Sequence, residues 1–216
     1  MALTTKGDVS LAGLVVDNKG TVAYCKVSGS LMANIENGKV YVGGIAALNN
    51  GGWIYCCYTD CTLDGGTTVK SNSISPNAYV FGIAYNEGGI IEHCYTAGNY
   101  NASANRTTTS GYTPYTYIGG VSNVATNSFS FANLTYTNEN KKYAWSWAVA
   151  TGLEACTSQT INGTALSGIS EAYLKNEVYL AEKFGWKKYV DAETLSADIY
   201  AAWTFSANAR PVLYFE

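Results

Sequence analysis

The chain has 216 residues, of which 13% are charged and 47% apolar, and it carries a formal net charge of −3. That is long enough for one domain with a substantial core. The basic runs stop at Lys141-Lys142 and Lys187-Lys188, which argues against a phosphate-neutralising nucleic-acid surface. No apolar run approaches the roughly 20 residues that cross a bilayer, so no membrane insertion is expected.

Gly (22 residues) and Tyr (18 residues) stand among abundant Asn, Thr and Ser, a palette of short strands and tight corners. The opening "MALTTKGDVS" shows no leader pattern and reads as a start codon on a trimmed chain.

Three segments then superpose in chain order: "LAGLVVDNKGTVAYCKVSG" (11–29), "VGGIAALNNGGWIYCCYTDC" (42–61) and "VFGIAYNEGGIIEHCYTAG" (80–98). Each runs apolar-x-Gly-aliphatic, an Asn-x-Gly corner, then a short apolar stretch ending in Cys. A degraded fourth copy begins at "YIGGVSNVATNSFSFANLTY" (117–136), and a fifth is suggested at "YAWSWAVATGLEAC" (143–156). The aligned glycines are Gly13, Gly44, Gly82 and Gly120, at steps of 31, 38 and 38 residues. One such unit cannot bury its own apolar face, whereas units stacked about 4.8 Å apart bury a continuous column. The expectation is an all-β, right-handed parallel β-helix over residues 1–163, with residues 164–216 as a C-terminal cap of the same unit.

In the tail, "SEAYLKNEVYLAEKF" predicts a helix over 170–184 with Leu174, Val178 and Ala181 on its apolar face. Ser170 is the expected N-cap and Gly185 the left-handed residue beyond its end. With Trp186 and Trp203, this segment is expected to cover the open end of the stack. A ligand platform on the two tryptophans is the competing reading.

Cys25, Cys57 and Cys94 share one repeat position, which predicts an interior thiol ladder with one rung per copy. Alternation then points Cys56 outward, in register with Tyr24 and His93, and puts Cys61 at a corner with Gly29 and Gly98. A local disulfide between Cys56 and Cys61 is the alternative for that pair, and a bridge between neighbouring ladder thiols is also open. The spacing C-C-x3-C suits no zinc site, so no metal and no cofactor is expected.

His93 is the sole histidine and is expected to be an exposed surface residue. Asp17 and Glu87 fall near the same corner two units apart, roughly 10 Å by strand spacing, as solvated turn acids. No catalytic residue is assigned. The sequons at Asn101, Asn105, Asn133 and Asn162 are read as products of composition.

Tyr95, Tyr100, Tyr112, Tyr115 and Tyr117 are the candidate ligand-binding residues, since Tyr with Ser, Gly and Asn suits recognition surfaces. The competing reading packs them onto the wall.

The pattern "GGIAALNNGGWIYCCYT" and its copies resemble the GLUG repeats of bacterial surface proteins. Those repeats occur in β-helical adhesin-like proteins of gut and oral bacteria and beside some immunoglobulin A1 peptidase domains. The ending "LSGISEAYLKNEVYLAEKFGWKKY…AAWTFSANARPVLYFE" is similar to the closing segment of such arrays. The resemblance spans roughly residues 9–216. It implies an exported, non-enzymatic module, extracellular or on the cell surface, that binds a host or bacterial glycan or surface protein. The alternatives are a carbohydrate-active β-helix enzyme and a structural stalk. Oligomeric state is not legible in the chain.

Overall fold

The computed structural model describes residues 2–70, 77–107, 114–137, 145–148, 159–161, 164–166 and 171–216. After β1 (Ala2–Lys6), copy 1 supplies β2 (Val9–Ala12), β3 (Val15–Asn18), β4 (Thr21–Ala23) and the long β5 (Lys26–Glu36). Copy 2 repeats the set as β6 (Val40–Gly43), β7 (Ala46–Asn50), β8 (Trp53–Tyr55) and β9 (Tyr58–Val69). Copy 3 gives β10 (Asn77–Phe81), β11 (Tyr85–Glu87), β12 (Ile90–Glu92) and β13 (Tyr95–Arg106). Copy 4 keeps β14 (Tyr115–Gly119), β15 (Phe129–Ser130) and β16 (Asn133–Thr137), and β17 (Trp145–Ala148) opens the fifth.

Equivalent strands pair in parallel, copy on copy, in four sheets ordered β17-β14-β10-β6-β2, β11-β7-β3, β12-β8-β4 and β1-β5-β9-β13-β15, with β16 also on β13. The chain is therefore an all-β protein built from parallel sheets, with a few short helices near its end.

The aligned glycines have a steric cause. A Cβ built on Gly13, Gly44 or Gly82 would lie 2.3, 2.1 and 2.0 Å from the carbonyl oxygen of Gly44, Gly82 and Gly120 respectively. Each copy thus bends past the next with no room for a side chain.

The Asn-x-Gly corners hold a buried amide column. Asn18 Nδ2 donates to Asn49 Oδ1 at 2.8 Å, and Asn49 Nδ2 donates to Asn86 Oδ1 at 3.1 Å. Asn123 Oδ1 accepts from the Asn86 backbone N–H at 2.6 Å, so the fourth copy joins the column. Inward apolar residues fill the space between sheets, with Val40, Val42, Leu63, Val80, Tyr100, Ile118 and Leu134 in one cluster and Ile45, Ile54, Ile83 and Ile91 in another.

In the tail, the predicted single helix is two: α1 (Glu171–Leu174) and α2 (Glu177–Phe184), broken at Asn176, whose side chain accepts from Tyr179 N–H and caps α2. Ser170 lies outside the described residues. Gly185 does take the left-handed C′ conformation, at φ 64°. The buried positions are Leu174 and Leu180, while Val178 is 64% exposed and Ala181 is exposed. The apolar face was therefore misassigned, because the break at Asn176 rotates α2 relative to a continuous helix. The tail continues through α3 (Ala192–Ala197) to β20 (Trp203–Thr204) and β21 (Val212–Leu213), an antiparallel pair. Between copy 4 and the tail, β18 (Gln159–Ile161) and β19 (Thr164–Leu166) pair antiparallel across the 163/164 boundary.

Candidate functional site: two aromatic ladders

Two columns of outward aromatic rings run across the copies. The first, Tyr58–Tyr95–Phe129, stands at the start of the long strands, with ring centroids 4.6 and 5.6 Å apart. The tail covers it. Trp186 and Trp203, stacked on each other at 4.1 Å, are 1% and 0% exposed and pack against these rings. Tyr95 Oη donates to Pro211 O at 2.7 Å. Tyr58 Oη donates to the carboxylate of Glu216 at 2.7 and 2.8 Å, and Lys26 Nζ reaches the same carboxylate at 2.6 Å. The tail thus lies along the flank as a strap holding four copies, where an end cover was expected.

The strap meets the four copies at one repeated corner. Tyr24, Cys56, His93 and Asn127 all have left-handed backbones, at φ 54, 48, 51 and 49°. Tyr24 Oη donates to Ile199 O at 2.9 Å, and the Cys56 thiol faces the same carbonyl at 3.7 Å. The His93 ring stacks on Tyr200 at 4.0 Å, and Trp186 Nε1 donates to Asn127 O at 2.7 Å. His93 is 4% exposed and Cys56 fully buried, which corrects the outward, solvent-facing placement of both. Alternation had their direction right; the strap then covers them.

Each corner is followed by the ladder position. Cys25, Cys57 and Cys94 donate from Sγ to the carbonyl two residues back, each at 3.2 Å, and Ser128 does the same from Oγ at 2.8 Å. Cys25 N–H donates to Cys57 Sγ at 3.4 Å, and Cys94 N–H donates to Ser128 Oγ at 3.0 Å. A hydroxyl therefore takes the thiol's place in the fourth copy. Contact with Cys57 and then burial push the Cys25 thiol up, and burial pushes Cys57 well up, so these are protonated, unreactive thiols.

Cys61 lies inside long strand β9, in register with Gly29 and Gly98, and burial pushes it up to about 11. Cys56 and Cys61 are free thiols in separate apolar clusters, Cys56 under the strap and Cys61 in the interior.

The second ladder is Tyr41–Tyr79–Tyr117, on the outer face of the sheet formed by β6, β10 and β14. Its rings stack at 4.4 and 4.6 Å with interplanar angles of 8 and 2°. Tyr85 leans on Tyr79 at 4.9 Å, and Tyr115 flanks Tyr117 at 6.1 Å. Tyr41, Tyr85, Tyr115 and Tyr117 remain half-buried. The central ring, Tyr79, is 8% exposed and its hydroxyl accepts from Asn77 Nδ2 at 3.1 Å, so the half-buried Tyr41 and Tyr117 offer the accessible surface. Burial, then the neighbouring tyrosines, push the Tyr41 hydroxyl up, so it stays a neutral donor and acceptor.

Of the four candidate tyrosines among the described residues, Tyr115 and Tyr117 belong to this surface. Tyr95 is 2% exposed beneath the strap. Tyr100 is 1% exposed, its hydroxyl donating to Ala97 O at 3.1 Å inside the core. Tyr112 lies outside the described residues. Asp17 is in register with Leu48 and Tyr85, whereas Glu87 is in register with Asn50, so the two acids stand in different columns. Among the described residues, no group of three His, Cys, Asp or Glu side chains is placed to hold a metal ion.

The fold defines a class, an all-β protein whose main sheets are parallel. Comparison with models of protein families, with curated proteins and with solved structures gives no match.

Proposed function

We propose that the chain is a right-handed parallel β-helix module of GLUG type, exported and non-enzymatic, that recognises a glycan or protein on a host or bacterial surface. The observation that carries this reading is the outward ladder Tyr41–Tyr79–Tyr117 on a rigid stack of parallel copies. Half-buried Tyr41 and Tyr117 on either side of Tyr79, with Tyr85 and Tyr115 beside them, combine apolar rings with polar tips and suit a hydroxyl-rich extended partner. Preorganised aromatic side chains lose little rotamer entropy on binding.

The test is binding of the purified chain to a glycan array and to immobilised extracellular-matrix proteins. It is repeated with Tyr41→Ala and Tyr117→Ala, which remove the half-buried rings on either side of Tyr79. Selective binding that falls at least about tenfold in the variants supports the proposal. Silence across both panels, or binding indifferent to the tyrosines, overturns it.

A further inference from the structure

The strap is fastened at its centre by a buried histidine, one of whose ring nitrogens has no hydrogen-bond partner. His93 is 4% exposed, and its Nδ1 is buried without a hydrogen-bond partner. One face of the ring is covered by Tyr200 at 4.0 Å. Nε2 is 3.5 Å from Asn127 Nδ2 in the next copy, and the Gly185 backbone of the strap closes over the same edge.

Every charged group around the ring is already engaged. Glu92 Oε1 accepts from Trp53 Nε1 at 2.7 Å and from Tyr200 Oη at 2.9 Å, while its Oε2 lies 3.9 Å from His93 Nδ1, beyond hydrogen-bond range. On the strap, Lys187 and Asp198 are paired with each other. In copy 2 the neighbour at the same corner is the buried Cys56 thiol. The buried ring leaves Nδ1 with no hydrogen-bonded counter-ion, the nearest carboxylate oxygen standing off at 3.9 Å.

The geometry points to an acid-released latch: protonation of His93 expels the ring from beneath Tyr200, frees the strap from the flank, and uncovers the Tyr58–Tyr95–Phe129 ladder with Trp186 and Trp203. The strand stack itself is held by the amide column, the thiol ladder and the apolar core, none of which uses the histidine, so release is local.

Burial first, and more than Glu92, Asp198 and the Gly185 backbone offset, holds His93 below its ordinary 6.5. The unfastened strap therefore binds a proton that the fastened one does not. Fastening is at full strength above about pH 6.5 and is lost as pH falls through the lowered value, at up to about tenfold per pH unit.

The test is amide hydrogen exchange of the whole chain between about pH 7.5 and 5, corrected for intrinsic exchange, with indole fluorescence alongside. In the wild-type chain, exchange in 177–205 should accelerate and the indole emission shift red while β9 and β13 stay protected. His93→Asn places at this corner the residue that copy 4 already carries there at φ 49°. It should keep the strap closed to lower pH. Glu92→Gln removes the carboxylate that acts more strongly on the ring and should move release to higher pH. A strap equally protected across the range in the wild type, a His93→Asn profile identical to wild type, or a Glu92→Gln shift to lower pH would each overturn the latch. The opposed shifts of the two variants separate release from simple loss of fold.

Discussion

At Gly44 the nearest obstacle to a side chain is backbone, the Gly82 carbonyl at 2.1 Å, with Thr59 Cγ2 at 2.8 Å behind it. Neither can step aside without shifting a whole copy. Gly44→Ala should therefore lower unfolding stability by about 1–3 kcal/mol or more, measured by urea denaturation. Asn49 is fully buried, linking Asn18, Asn86 and the Gly52 carbonyl. Asn49→Ala orphans the Asn18 Nδ2 donor, at about 1–3 kcal/mol, whereas Asn86 Oδ1 keeps the Gly89 N–H and the Gly52 carbonyl keeps the Ile90 N–H. Cys94 differs in kind, because its neighbour in the column is Ser128. Cys94→Ser keeps the donor to Glu92 O and should cost under about 1 kcal/mol in the same melts, whereas Cys94→Val loses it and costs more. That contrast tells a hydrogen-bonded ladder from a merely apolar one.

The strap's end is fixed by charge as well as by aromatic packing. Burial opposes it, but the Lys26 ammonium and the Tyr58 hydroxyl hold the Glu216 carboxyl below its usual range. Its contribution is present above the ordinary carboxylate range and is lost as pH falls through the lowered value. Glu216→Gln should lower the thermal midpoint at neutral pH and narrow its gap to wild type in strong acid. Trp186→Ala, which empties a 1%-exposed indole site, should cost about 3–5 kcal/mol of strap attachment, read as faster exchange in 177–205.

This element is also where reading the sequence fell short. The repeat, the glycine positions and the inward cysteines follow from local pattern, because each is enforced by the neighbouring copy. What lies over an outward residue is set by chain more than 100 positions away, as with Tyr24 and Ile199. Tyr58, Tyr95 and His93 thus look like surface in any alternation argument. Tyr95 and Tyr100 are different: five positions apart on one strand, they face opposite ways, so alternation alone separates them. The fourth copy's ending was obscured because Ser128-Phe129 replaces Cys-Tyr by shape and hydrogen bonding and not by residue identity.

In the whole molecule, pairing is between nearest copies, so stability is a sum over interfaces plus the strap. Copy 1 has the weakest share. Its strands β2, β3 and β4 are each the last in their sheets, and Leu14 and Val16 are 55 and 51% exposed. Amide exchange should be fastest there and slowest in β9 and β13, and a protection pattern uniform across copies 1 to 3 would contradict the nearest-neighbour account.

The copies differ in length at one place above all. Between the long strand and the first strand of the next copy, copy 1 uses residues 37–39, copy 2 residues 70–76 and copy 3 residues 107–114. Across all three junctions the registers resume unchanged, Tyr41 on Ser10, Tyr79 on Tyr41 and Tyr117 on Tyr79. Such a junction is an insertion port. Added residues there should leave every strand pair in place, so a lineage or an engineer can lengthen the chain at these points while its architecture is inherited intact.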